Sequence, residues 1–141
     1  MKKLWKEFID FHKKLDPFFT RTADGHDRFG EFALERIEKE DWLVLVAESE
    51  GEVVGHCLAT IEKYPPVYIN PRYGYVQDIA VTKKYRRSRI GRKFFERMSV
   101  WFREQGVDRI ELDVTATNEV SAKFWREMGF GDFMIRMSKK A

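Results

Sequence analysis

Apolar residues first recur along this chain at helical spacing. Leu4, Trp5, Phe8, Ile9, His12 and Leu15 share one face and stop at Asp16-Pro17, which predicts a first helix of about four turns. Phe18 to Gly25 reads as a loop. Phe29, Phe32, Ala33 and Ile37 then predict a second helix from about Asp27 to Lys39. The pattern changes at Trp42 to Ala47, a continuous apolar run followed by Ser49-Glu50-Gly51-Glu52 and the mostly apolar Val53 to Ile61. Two strands joined by a tight turn fit it. Tyr64-Pro65-Pro66 breaks the second strand, and a loop to Arg72 precedes a strand from Tyr73 to Val81. Ile90, Phe94, Met98, Trp101 and Phe102 line one face of a helix that Gly106 ends. Ile110, Leu112 and Val114 alternate with Glu111 and Asp113 as a half-buried strand. Asn118 or Thr117 caps a helix to Met128, closed by Gly129, and Phe130 to Met137 predicts a last strand.

The order helix, helix, three strands, helix, strand, helix, strand is that of a mixed α/β domain without linker, repeat or low-complexity tract. With 141 residues and 43% apolar content, one domain over residues 1 to 141 is expected. No apolar run approaches the roughly 20 residues that span a bilayer. The start Met1-Lys2-Lys3-Leu4-Trp5-Lys6 lacks a signal peptide's apolar core, so a cytoplasmic protein without membrane contact is expected. Cys57 is the lone cysteine and reads as a small buried residue, not a nucleophile. His12 and His26 read as surface or boundary positions, and His56 sits in a strand with no partner at ligand spacing. No metal is expected.

Charge singles out one segment. Residues 83 to 109 carry ten Lys/Arg against three Asp/Glu, whereas residues 1 to 82 carry eleven against fifteen. Arg86-Arg87-Ser88-Arg89-Ile90-Gly91-Arg92 lies between a predicted strand and the first turn of an amphipathic helix. Amides at a helix start lack intrahelical partners and carry the positive end of the helix dipole, and a glycine there admits close approach. The segment reads as a pyrophosphate site.

At these residues the chain resembles the GNAT superfamily of acyl-CoA-dependent N-acetyltransferases. The family's phosphate loop, Gln/Arg-x-x-Gly-x-Gly/Ala, matches Arg86-Arg87-Ser88-Arg89-Ile90-Gly91. A second signature appears as Asn118, Ala122, Phe124-Trp125 and Gly129-Phe130. The resemblance implies a single-domain, mostly antiparallel mixed sheet flanked by helices, here apparently without the usual first strand. It implies acetyl-CoA as cosubstrate, with the backbone of Ile79, Ala80 and Val81 along the pantetheine arm. Arg86, Arg87, Ser88, Arg89, Ile90, Gly91 and Arg92 would cradle the pyrophosphate, and Asn118 and Trp125 would face the cofactor from the other side. Such enzymes transfer the acetyl group to an amine by direct attack, with a carboxylate taking up protons and a strand N–H stabilising the oxyanion.

The chain departs from the family pattern in several places. Arg89 stands where glycine is usual, and a positive φ there would cost an arginine about 1 to 2 kcal/mol. Trp125 replaces the tyrosine that many relatives use to reprotonate the thiolate, and an indole does not give up its proton. Tyr73 and Tyr75 are substitutes by strand proximity. Gln77 replaces a glutamate base, leaving Asp78 as the candidate catalytic residue, although strict alternation would point Asp78 and Gln77 to opposite faces. Without a first strand, the edge of Trp42 to Ala47 is open, and a homodimer is expected. Residues 16 to 41 carry eight Asp/Glu against four Lys/Arg, and in relatives the first two helices help wall the acceptor site. That implies a cationic acceptor such as a polyamine, an aminoglycoside or a peptide amine. Two alternatives keep other features: a catalytically weakened acyl-CoA sensor, and a basic nucleic-acid-binding module. The second lacks exposed aromatics, since those of the helices look inward.

Overall fold

The computed structural model describes residues 1 to 141. The chain opens with helix α1 (Lys2–Leu15), a 3-10 turn (Pro17–Phe19) and helix α2 (Gly25–Ile37). Strands β1 (Trp42–Ser49), β2 (Glu52–Lys63) and β3 (Arg72–Val81) follow. A 3-10 turn (Lys83–Tyr85), helix α3 (Ile90–Glu104), strand β4 (Ile110–Glu111) and helix α4 (Glu119–Glu127) complete the order. The sheet runs β1-β2-β3-β4, antiparallel except for the parallel β3–β4 pair. This is the mixed, mostly antiparallel sheet flanked by helices that the sequence implies. No helix is long and apolar enough to cross a membrane.

β2 shows why its sequence is apolar without a clean alternation. Helices cover both faces, so residues Val54 to Thr60 are all buried. One face turns to α3, where Cys57 Sγ lies 4.0 Å from Met98 Sδ. The other turns to α1 and α2, where the His56 and Phe29 rings stand 5.3 Å apart. The β1–β2 connection is the two-residue loop Glu50-Gly51, both with positive φ (51° and 79°), which matches the right-handed twist of a hairpin.

α3 drives its buried face, Phe94, Met98 and Phe102, under the sheet. The approach is closest at β3, where a Cβ on Gly74 would lie 2.5 Å from the Phe102 ring. Gly74 is a glycine because an aromatic ring lies flat against its backbone.

Three expectations need correction. Phe130 to Met137 forms no strand, and Phe133, Met134, Ile135 and Met137 are exposed; the segment stays beside β4 through Arg136 and Asp113 (3.1 Å) and through Phe133 against Arg109, but β4 is regular over only two residues and no ladder forms. β4 pairs only at Ile110 and Glu111, so Leu112 and Val114 pack against the core without a ladder. α2 begins at Gly25, two residues before the predicted start, and ends at Ile37; Gly25 packs on the Trp5 ring, which extends the helix toward α1.

Gly74→Ala is predicted to lower stability by about 1 to 3 kcal/mol, since Phe102 has to move off a fully packed position. Urea unfolding measures it, and an unchanged midpoint would show that the ring shifts freely.

Candidate active site

The site begins where β3 parts from β4. The two strands pair at Gly74↔Ile110 and Tyr75↔Glu111 and nowhere further on. From Val76 to Val81 the β4-facing edge of β3 therefore has no strand partner, while its other edge stays bonded to β2. Ile79, Ala80 and Val81 lie on this free edge.

Directly before them β3 carries a bulge. Leu58 pairs with Asp78 and Ala59 with Val76, so Gln77 is an extra residue. The bulge breaks the alternation that would have sent neighbours to opposite faces, and Gln77 and Asp78 both line one cleft of about 400 Å³. Trp5 and Phe8 of α1, and Gly25, Arg28, Phe29 and Phe32 of α2, form its other walls. None of the eight carboxylates of residues 16 to 41 lines it. Asp24 and Asp27 are instead paired outward with Arg28 (2.7 Å) and Lys2 (2.8 Å). The acidic wall expected from the sequence is solvated helix surface.

Asp78 is held by a residue the sequence reading left without a partner. His56 is fully buried, and its Nε2 lies 2.9 Å from Asp78 Oδ2. His56 is two residues along β2 from Leu58, the partner of Asp78, and so shares its face. A histidine at a central strand position diagonal to an aspartate was the available signal, but only the bulge sets the register that joins them. Asp78 Oδ1 and His56 Nδ1 are buried and unpartnered. Next to this pair, burial and then the Asp78 charge push the Cys57 thiol up to about 12, which keeps it a thiol.

The basic loop follows β3 through the Lys83–Tyr85 turn and is moored to α1. Glu7 accepts from the Lys83 amide (3.0 Å) and the Thr82 hydroxyl (3.1 Å). Arg86 turns back onto this mooring, donating to the Val81 carbonyl at 3.3 Å. Ser88 Oγ donates to the Tyr85 carbonyl. Arg87 and Arg89 have φ of 69° and 64°, so the loop keeps a left-handed backbone without the usual glycine. The amides of Arg87, Arg89, Ile90, Gly91 and Arg92 make no backbone hydrogen bond, and the guanidinium groups of Arg87, Arg89 and Arg92 have no carboxylate partner. At Gly91 a Cβ would stand 3.3 Å from the Phe124 ring, which is how closely α4 packs on the start of α3. Unpartnered amides and unpaired guanidinium groups are thus gathered beside the free edge of β3, the chemistry that suits an anion.

α4 closes the other side. Asn118 Oδ1 accepts from the Ser121 amide at 3.1 Å as the helix cap, leaving Nδ2 as a donor. Trp125 is buried, its ring edge-on to Phe95 at 6.2 Å and to Phe130 at 5.2 Å, so it packs α4 against α3. Of the two tyrosines on β3, Tyr73 stacks on Tyr64 at 4.5 Å, and Tyr75 donates to Asp113 at 3.0 Å. Burial and the Asp113 charge push Tyr75 up to about 12, which keeps the phenol protonated.

A free strand edge, unpartnered amides at the next helix start and a capping Asn opposite them meet at one place in this fold. Residues 3 to 130 match the Acetyltransferase (GNAT) family. The chain belongs to this family. An N-alpha-acetyltransferase of Sulfurisphaera tokodaii is 27% identical over 111 residues, covering 74% of this chain; the chain spans 65% of that relative's length. Among solved structures, a mutant of the BH1408 protein of Bacillus halodurans superposes with a TM-score of 0.85 at 23% identity, over 99% of this chain and 90% of that one. Glucosamine-6-phosphate N-acetyltransferase of Arabidopsis thaliana gives 0.66 at 26% identity, over 99% and 91%. An aminoglycoside 6'-N-acetyltransferase of Acinetobacter haemolyticus gives 0.69 at 20% identity, over 85% of each chain.

Arg89 is one of two left-handed arginines in this GNAT loop and stands where glycine is usual. Arg89→Gly is predicted to gain about 1 kcal/mol of stability, the relief of the Cβ clash less the extra chain entropy of glycine. A lower urea midpoint for the variant would show that the arginine side chain, not the backbone, sets the balance.

Proposed function

We propose that the chain transfers an acetyl group from acetyl-CoA to a primary amine by direct attack. The observation that carries this is the free edge of β3 lying one loop away from five unpartnered amides at the start of α3. An extended pantetheine arm adds to Ile79, Ala80 and Val81 as a further strand would, with main-chain bonds replacing the missing β4 ladder. The pyrophosphate takes the amides of Arg87 and of Arg89 to Arg92, with the side chains of Arg87, Arg89 and Arg92 neutralising its charge. Ser88 holds the turn, Arg86 anchors it, and the Asn118 amide reaches the arm from α4. Trp125 contributes by packing.

The thioester then lies at the end of the free edge, beside the bulge. The amine nitrogen attacks the carbonyl carbon, the C–N bond forms and the C–S bond breaks. Asp78 accepts the proton that the ammonium sheds, a β3 amide stabilises the oxyanion, and the second N–H proton passes to solvent as the tetrahedral intermediate collapses. Trp125 has no proton to give, so the thiolate leaves as such and is protonated from solvent.

Calorimetric titration with acetyl-CoA and with S-acetylpantetheine, which lacks the pyrophosphate, tests the cofactor reading: only the first should bind tightly. Asp78→Asn is predicted to lower kcat about 10² to 10⁴-fold in a thiol-release assay with an amine panel, at unchanged acetyl-CoA affinity. Equal binding of the two thioesters, or an unchanged pH-rate profile in the variant, would contradict the proposal.

A further inference from the structure

The cleft beside the bulge has a wall and a floor of different chemistry. Its wall is a row of rings: Trp5 and Phe29 stack with centroids 5.2 Å apart and 13° between planes, and Phe29 and Phe32 continue it at 6.4 Å and 18°. At its floor stands one carboxylate, Asp78, with its side chain 8% exposed. His56 occupies Oδ2, and Oδ1 is buried with no donor. The one other charged group lining the cleft is Arg28, and its guanidinium is already paired with Asp24 at 2.7 Å.

A buried carboxylate oxygen without a donor is costly, and a ligand that brings an N–H recovers that cost. Trp5, Phe29 and Phe32 stack on one another and Arg36 already lies over the Phe32 face at 3.3 Å, so the row offers apolar surface to a ligand's body rather than a site for further cations. One unpartnered carboxylate oxygen matches one positive charge. A second or third ammonium would lie against rings or against Arg28 with nothing to pair it.

We infer that this cleft takes a primary monoammonium attached to a bulky apolar group, with the ammonium on Asp78 Oδ1 and the apolar body along the row of Trp5, Phe29 and Phe32. The inference rests on the acetyl-transfer proposal and names its acceptor. The same Asp78 oxygen that holds the ammonium then receives its proton. His56 is a positioning residue: with its ring proton on Nε2 it donates to Oδ2 and leaves Oδ1 as the edge that meets the ligand. Such an ammonium belongs either to a free aralkylamine or to the α-amine of a peptide that begins with a large apolar residue.

The test compares four acceptors at saturating acetyl-CoA by thiol release: phenethylamine, a tetrapeptide beginning with Phe, spermidine and kanamycin. In parallel, calorimetry measures phenethylamine binding to the full chain without acetyl-CoA. The expected kcat/KM for at least one of the two apolar monoamines is tenfold or more above those for spermidine and kanamycin, and the better of the two identifies the source. Phenethylamine binding should fall at least tenfold in Asp78→Asn, and 2-phenylethanol, which lacks the charge, should not bind. His56→Leu should lose phenethylamine affinity at unchanged acetyl-CoA affinity, while His56→Gln, which keeps a donor for Oδ2, should retain it within about threefold. Faster turnover of spermidine or kanamycin than of both monoamines would overturn the inference and leave acetyl transfer standing. If no amine is acetylated, the transfer proposal fails, and calorimetry still decides the cleft: binding that depends on Asp78 upholds it, and its absence or its persistence in Asp78→Asn overturns it.

Discussion

The pairing of β3 with β4 lasts for two residues, and the rest of the site depends on where it stops. A parallel neighbour held through Val81 would use up every backbone group on that edge of β3. Because the ladder ends at Tyr75 and Glu111, the next six residues of β3 keep one row of donors and acceptors open. Such an edge is unsafe in a core, where unpaired backbone groups are costly, unless something of peptide-like chemistry pairs with it. The fold supports the opening from below: Phe94, Met98 and Phe102 of α3 hold the sheet while Phe124 of α4 packs on Gly91 at the start of α3.

The second constraint is the extra residue Gln77. Were Gln77 paired as a regular residue, Asp78 would fall opposite Cys57 on the α3 face, and the His56 ring would have no carboxylate on its own face of the sheet. The bulge, a strand feature one residue long, places a carboxylate at the boundary between the cleft of α1 and α2 and the free edge of β3. The loop that follows has to return to the start of α3, and Glu7 ties it to α1. The helices that wall the cleft and the arginine-rich loop before α3 are therefore mechanically joined.

Much of this was legible in the sequence, for reasons that can be named. The face of α3 is written in its spacing from Ile90 to Phe102, and the hairpin at Glu50-Gly51 in its turn residues. The cluster from Arg86 to Arg92, followed by an apolar helix, shows where unpartnered amides and arginines gather at the start of α3. The His56–Asp78 pair was hidden, because alternation cannot show a bulge, and register decides which side chains meet across strands. The acidic excess of residues 16 to 41 misled because composition does not tell which face of α2 carries it; Asp24 and Asp27 point outward, while Phe29 and Phe32 point in. Phe130 to Met137 has the pattern of a strand, but it meets the β4 region through side chains and not through a backbone ladder.

The central claim is that the free edge of β3 and the start of α3 together receive acetyl-CoA. Amide hydrogen exchange with and without acetyl-CoA reads those backbone groups one segment at a time. The account predicts slowed exchange at Ile79 to Val81 and at Arg87 to Arg92, with the β1–β2 hairpin unchanged. Protection confined to other segments, or exchange unaltered at the Val76 to Val81 edge under saturating acetyl-CoA, would contradict it.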